Sequence, residues 1–213
     1  MKFDMHIHTK YSMWSFSEIK DIIKYAKKKG LDGIAICDHD TMRGVDEFKK
    51  LKTELKLISG IEITSKSGEI LAYGINEIIP KGLSAEETIE RIHSQGGVAV
   101  APHPFDSMRR NLGKEVFTQN LDGIEVFNSK GNSSKSNKEA LIASAQLKLG
   151  ITAGSDSHSP EFVGKAYTTF EGDFIKALKK RKTSYFGEYI SYQEIIKSYL
   201  KNIKKLPLIL SKT

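Results

Sequence analysis

The chain of 213 residues, 39% hydrophobic and 28% charged, suits one large domain with a proper core better than two small ones. Its formal charge of +7 favours anionic ligands such as phosphate esters, nucleotides or nucleic acid, although dispersed surface lysine gives the same number. The single cysteine, Cys37, excludes an internal disulfide framework and an all-cysteine zinc site, so a metal would need histidine and carboxylate ligands.

The start, MKFDMHIHT, has no apolar signal run, and no stretch reaches the roughly 20 apolar residues of a membrane helix. A cytoplasmic protein without a membrane span is expected. Residues 3–8 read as a strand, and 17–29 as a helix with Ile19, Ile22, Ile23 and Ala26 on one face and Gly30 closing it. A β-rich run at 31–37, a helix at 43–54 and a strand at 57–63 follow. A further strand at 69–75, joined through the Ser-Lys-Ser-Gly turn at 65–68, offers a hairpin. The pattern continues with a helix at 85–95, strands at 98–101 and 121–127, a helix at 137–149, strands at 151–153 and 166–170, and a basic helix at 173–181. This alternation predicts βα units in a domain over residues 1–190, too short for a regular eightfold barrel of about 250 residues, so a smaller, irregular barrel is expected. The tail, 191–213, carries Ile195, Ile196, Tyr199, Leu200 and Ile203 at helical spacing among lysines, then an apolar run at 206–210. It reads as a basic amphipathic helix that docks on its own domain.

His6 and His8 are two apart in a strand, so both imidazoles face one side and can grip one ion. Asp156 and His158 repeat the spacing just past another strand, Asp38 and His39 follow a third, and Glu62 and His103 end two more. Carboxyl ends of parallel strands share one rim, so five of the six histidines converge there with two carboxylates. Metal binding explains this better than coincidence. His93, inside a predicted helix, reads as structural or exposed. Asp4, taken to share the strand face of His6 and His8, is expected to hydrogen-bond a ligand imidazole. Glu125 and Asn128 face the same rim or serve the framework. Arg109 and Arg110 follow the histidine in a loop and either clamp phosphate or form a solvated basic loop. Cys37, in an apolar strand with no base assigned to it, is no nucleophile.

The runs DMHIHT at 4–9, CDHDT at 37–41, GIE at 60–62, APHP at 101–104 and GSDSH at 154–158, with GIEV at 123–126 between the last two, resemble the PHP superfamily, named for polymerase and histidinol phosphatase. The resemblance spans nearly the whole chain and is closest to short, stand-alone phosphoesterases. It implies a distorted seven-stranded β/α barrel with two or three divalent ions, Mn²⁺, Zn²⁺ or Fe²⁺. By position, it implies that His6, His8, Glu62 and Asp156 hold the first ion, that Glu62 bridges to a second on His103, and that His39 and His158 belong to a third. Members usually add a histidine or aspartate to the third position shortly after H-x-H, where this chain has Met13 and Trp14, so that position is expected to be weak. Longer members add a second-position histidine between the glutamate and the HP motif, where this chain offers only His93, so water or substrate oxygen would complete that shell.

The implied activity is phosphoester hydrolysis by a metal-activated hydroxide. His39 or His158 would act as proton donor if not engaged by metal, Asp38 would orient or weakly ligate, and Arg109 and Arg110 would hold phosphate. The expected substrate is a small phosphorylated molecule, a nucleotide-type phosphomonoester or the end of a short oligonucleotide. The rival readings are a metal-dependent amidohydrolase, which uses similar ligands, and a catalytically retired metal-binding regulatory module.

Overall fold

The structure, a computed structural model, describes residues 1–130 and 134–202. Its elements in order are β1 (Lys2–Ile7), α1 (Ile19–Lys28), β2 (Gly33–Ile36), α2 (Arg43–Lys49), β3 (Lys56–Thr64), β4 (Glu69–Tyr73), α3 (Ala85–Ser94), β5 (Val98–Ala101), β6 (Gly123–Asn128), α4 (Ser134–Leu147), β7 (Gly150–Gly154), β8 (Ala166–Thr169), α5 (Phe174–Lys179), β9 (Ser184–Gly187) and α6 (Tyr192–Asn202). The strands lie in one sheet in the order β7-β6-β5-β4-β3-β2-β1-β8-β9. β1, β2 and β3 are parallel, as are β5, β6 and β7, while β4 runs antiparallel between β3 and β5 as the expected hairpin.

The sheet curls until β7 reaches β1. Asp156 N–H donates to the His6 carbonyl at 2.8 Å, and His8 N–H donates to the Ser157 carbonyl at 3.0 Å. Gly154 permits the approach, because a Cβ there would stand 2.3 Å from His6 Cβ. The barrel class expected from sequence is present, with nine strands among the described residues where the family resemblance implies seven and the apolar runs mark eight. The strand not read from the sequence is β9, four mostly exposed residues without the apolar alternation that marks a buried strand.

Two apolar layers follow from the period of two. Phe3, Met5, Ala35, Cys37, Leu71, Tyr73, Val98 and Val100 fill the inside, joined by Phe174 and Leu178 of α5. Their neighbours Ile34, Ile36, Ile61, Ile63, Ile70 and Ala99 face out against helix residues such as Ile22, Val45 and Ile89. In β1 the register shifts between Asp4 and Ile7. That irregularity changes which residues point inward, so His6 and His8 reach the inside above Met5 while Asp4 does not share their face. Asp4 corrects the expectation drawn from alternation. Instead of an imidazole, it accepts the backbone N–H groups of Ser155 at 2.9 Å and Gly164 at 2.8 Å, tying β1 to the segments that follow β7.

α6 lies on the domain through Ser198, whose hydroxyl donates to Ser159 Oγ at 2.7 Å, and through an edge contact of Tyr199 with Phe16. The apolar run at 206–210 lies outside the described residues. Among the described residues no helix is long and apolar enough to cross a membrane.

Candidate metal centre

The strand ends bring the predicted ligands together. His6 comes from β1 and His8 from just beyond it. His39 follows β2, Glu62 lies in β3, His103 follows β5, and Asp156 and His158 follow β7. His6, His8, Glu62, His103 and Asp156 are buried, and His39 and His158 are partly so. Glu62 sits at the middle. Its Oε2 lies 3.2 Å from His6 Nε2, 3.3 Å from His8 Nε2 and 3.2 Å from His39 Nδ1, while its Oε1 lies 3.2 Å from His103 Nε2. Asp156 Oδ1 stands 3.3 Å from His8 Nε2. Donors that share one ion at about 2.0–2.2 Å stand roughly 3–3.5 Å apart, so these separations suit ligands awaiting a cation. His103 and Asp156 both have left-handed backbone, at φ 30° and 52°. Each such residue costs about 1–3 kcal/mol, a strain typical of functional sites.

The protonation pattern tests the fit. His6 Nδ1 lies 3.0 Å from a Glu125 oxygen, so the ring proton belongs on Nδ1 and Nε2 is bare. Ser12 Oγ donates to Asp38 Oδ1 at 2.8 Å and accepts His39 N–H at 3.0 Å. Its one proton is thus spent, and His8 Nδ1 at 3.0 Å must donate to it, which bares His8 Nε2 as well. The two bare nitrogens face each other at 3.1 Å, with carboxylate oxygens of Glu62 and Asp156 beside them. Four acceptors pointing at one spot need a cation, and the set fits a divalent ion with mixed nitrogen and oxygen ligands.

Without metal a proton takes that place. Burial alone would lower His6, but Glu62, Glu125 and Asp156 hold it well above its ordinary value, and His8 is raised in the same way by Asp156 and Glu62. Glu62 and Asp156 are correspondingly held well below theirs despite burial, Glu62 mainly by His6 and Asp156 mainly by Lys130, His6 and Arg109. Burial pushes His39 down to about 4, and burial with Lys130 pushes His158 well down. Both rings are then neutral near pH 7, a state that suits ligation better than proton donation.

Other predicted residues take distinct places. Asp38 stands behind the cluster, its oxygens accepting Thr9 N–H at 2.6 Å, Thr9 O–H at 2.7 Å and Ser12 O–H. It positions His8 through Ser12. Arg109 spends four of its five N–H groups: two on Asp106, one on Asn128 and one on Asp156. Arg110 donates from Nη2 to the Ser65 carbonyl at 3.1 Å, and among the described residues its other N–H groups make no hydrogen bond. His93 pairs with Asp122 at 2.7 Å, away from the cluster. Met13 and Trp14 are exposed, and Trp14 lines a narrow apolar recess with Phe162 and Tyr199.

Sequence reasoning left Glu125 undecided and missed three residues. Besides holding His6, Glu125 accepts His103 N–H at 3.0 Å and an Asn128 side-chain N–H at 2.9 Å. Glu125→Gln should therefore weaken metal binding by about 10–100-fold while the barrel stays folded, as isothermal titration with Mn²⁺ would show. Unchanged affinity would remove Glu125 from that role. Ser12, Lys130 and Glu69 were not foreseen. Lys130 Nζ is 3.3 Å from His158 Nδ1, and Glu69 approaches His39 and His103. Glu69, Arg109, Arg110 and Lys130 line, with the cluster, a cleft of about 190 Å³. The larger cavity of about 640 Å³ beside Met1 and Lys176 shares no residue with it.

An α/β barrel with histidines and carboxylates gathered at its strand ends defines the class of metal-dependent hydrolases. The PHP domain model matches residues 4–208, and the chain belongs to that family. An uncharacterized protein of Methanocaldococcus jannaschii is 50% identical over 141 residues, 61% of this chain and 82% of that protein. Probable phosphatase YcdX of Escherichia coli O81 is 25% identical over 83% of each chain. Among solved structures, a candidate metal-dependent phosphoesterase of Bifidobacterium adolescentis ATCC 15703 shares the fold with a TM-score of 0.62 at 20% identity, over 93% of this chain and 96% of that one.

Proposed function

We propose that the protein hydrolyses phosphate esters, with nucleotide-type phosphomonoesters or oligonucleotide ends as substrates. The observation that carries this reading is the cationic lining of the metal cleft, where Arg109, Arg110 and Lys130 stand beside His39, Glu62 and Asp156. A neutral amide gains little from three cations, whereas a phosphate dianion is drawn in and held. The Escherichia coli relative named as a probable phosphatase and the Bifidobacterium neighbour described as a candidate metal-dependent phosphoesterase agree with it.

Divalent Mn, Zn or Fe ions held by His6, His8, Glu62, His103 and Asp156 would lower the pKa of water and withdraw charge from a phosphoryl oxygen. The side chains do the rest. Arg110 and Lys130, which line the cleft, receive the phosphate oxygens. Arg109, locked on Asp106, neutralises the outer oxygen of Asp156 and holds the loop that bears Arg110. His39 and His158, neutral near pH 7, offer lone pairs to a cation, and Lys130 stands where it can balance charge on a departing oxygen.

The test is turnover of a chromogenic phosphomonoester and of mononucleotides by purified protein supplied with Mn²⁺, set against a chromogenic amide. Release of phosphate at multiple turnovers, absent from the amide, is expected. Amide cleavage without phosphate release would favour the amidohydrolase reading, and metal binding with no turnover of either would favour a retired metal-binding module.

A further inference from the structure

We propose that Glu69 is a metal ligand of this chain, supplying to the second position the donor that no histidine provides. The inference rests on the metal reading of the cleft. Glu69 opens β4, two residues before Leu71 and four before Tyr73, both of which point into the barrel. The period of two carries its side chain to the same interior, one step above Leu71, where it pairs across the hairpin with Thr64, one inward step beyond Glu62. There it presents Oε1 to His39 Nδ1 at 3.7 Å and Oε2 to His103 Nε2 at 3.8 Å. Its side chain is only 12% exposed, and among the described residues no N–H or O–H donates to it. A largely buried carboxylate needs donors or a cation, and ring nitrogens of His39 and His103 and the carboxylate of Glu62 lie close to it.

Ligand atoms of His39, Glu62 and Glu69 lie within 4.8 Å of one another, a set that can hold an ion. His39 is shared, since its ligand atoms also group with those of His8 and His158. A carboxylate in place of imidazole makes the shell harder, which favours Mn²⁺ or Fe²⁺ over Zn²⁺ relative to a histidine-rich site.

Metal content after dialysis against Mn²⁺, measured by plasma mass spectrometry, and the electron paramagnetic resonance of the bound Mn²⁺ test the assignment. Wild-type protein should hold at least two Mn²⁺ per chain and show the exchange-coupled signal of a close pair. Glu69→Gln should lose one equivalent and that coupling, with at least about tenfold weaker binding of the second ion. Glu69→His should restore the second equivalent and shift preference towards Zn²⁺. These two variants also cover each other if one fails to fold. Equal stoichiometry and coupling in Glu69→Gln would overturn the role of Glu69, as would a paired site lost in Glu69→His but kept in Glu69→Gln. Absence of bound metal from the wild-type protein would instead overturn the reading beneath it.

Discussion

Glu62→Gln is expected to reduce phosphoesterase turnover by more than about a hundredfold and to remove bound metal, a larger loss than the 10–100-fold that outer positioning partners cost. The two Glu62 oxygens point to different partners, Oε2 to His6, His8 and His39 and Oε1 to His103. One carboxylate therefore serves two positions, and a neutral amide serves one at most and without charge, since its nitrogen has no lone pair to give. Gln keeps the volume, so β3 and its pairing with β4 should survive and circular dichroism should match the wild type. His93→Ala is the control. Its partly exposed pair with Asp122 contributes about 1 kcal/mol or less, and neither residue reaches the cleft. If His93→Ala lost more metal than Glu62→Gln, the assignment of the second position would be wrong.

How far the site could be read from sequence depended on whether spacing survives folding. His6, His8, Glu62, His103, Asp156 and His158 stood out because each lies at or just past the end of an apolar run, and parallel strands deliver such ends to one rim. Asp4 was misplaced because simple alternation puts it beside His6, and the register shift in β1 that breaks the alternation has no signature in the letters. Glu125 is one carboxylate in the apolar run GIEV, where a framework role and an imidazole anchor read alike. Glu69 follows the Ser-Lys-Ser-Gly turn and reads as the first residue of a strand, with nothing to mark it as a ligand. Only its phase with Leu71 and Tyr73, once the hairpin is granted, turns it inward. The fold class needed just the rhythm of strands and helices, whereas β9, short and exposed, left no rhythm to find.

Chelation should abolish turnover and leave a folded barrel whose stability without metal falls as pH rises. The inner layer from Phe3 to Val100 and the outer layer against the helices contain no ligand, so the core does not depend on the ion. What depends on it is the ring of acceptors around His6 and His8. In the metal-free protein a proton on His6 satisfies them, and its folded pKa lies well above the ordinary value because Glu62, Glu125 and Asp156 outweigh burial. A raised histidine contributes stability that is fully present below about pH 6.5 and lost as pH climbs through the folded value. Glu62 and Asp156 act oppositely, but their contribution is lost only in acid, below about pH 4, outside that window. Metal should therefore bind with proton release, more tightly at pH 8 than at pH 6. At an Mn²⁺ concentration of a hundred times Kd the gain is about 2.7 kcal/mol, a rise in Tm of roughly 5–10 °C for a domain of this size. Thermal scans with and without chelator across pH 6 to 8.5 should show the gap widening upward, and titration in buffers of different ionisation enthalpy should count the protons. Restored turnover on adding Mn²⁺ or Zn²⁺ completes the result, while full activity in chelated protein, or a gap that narrows with pH, would remove the metal from the chemistry or the proton from its place.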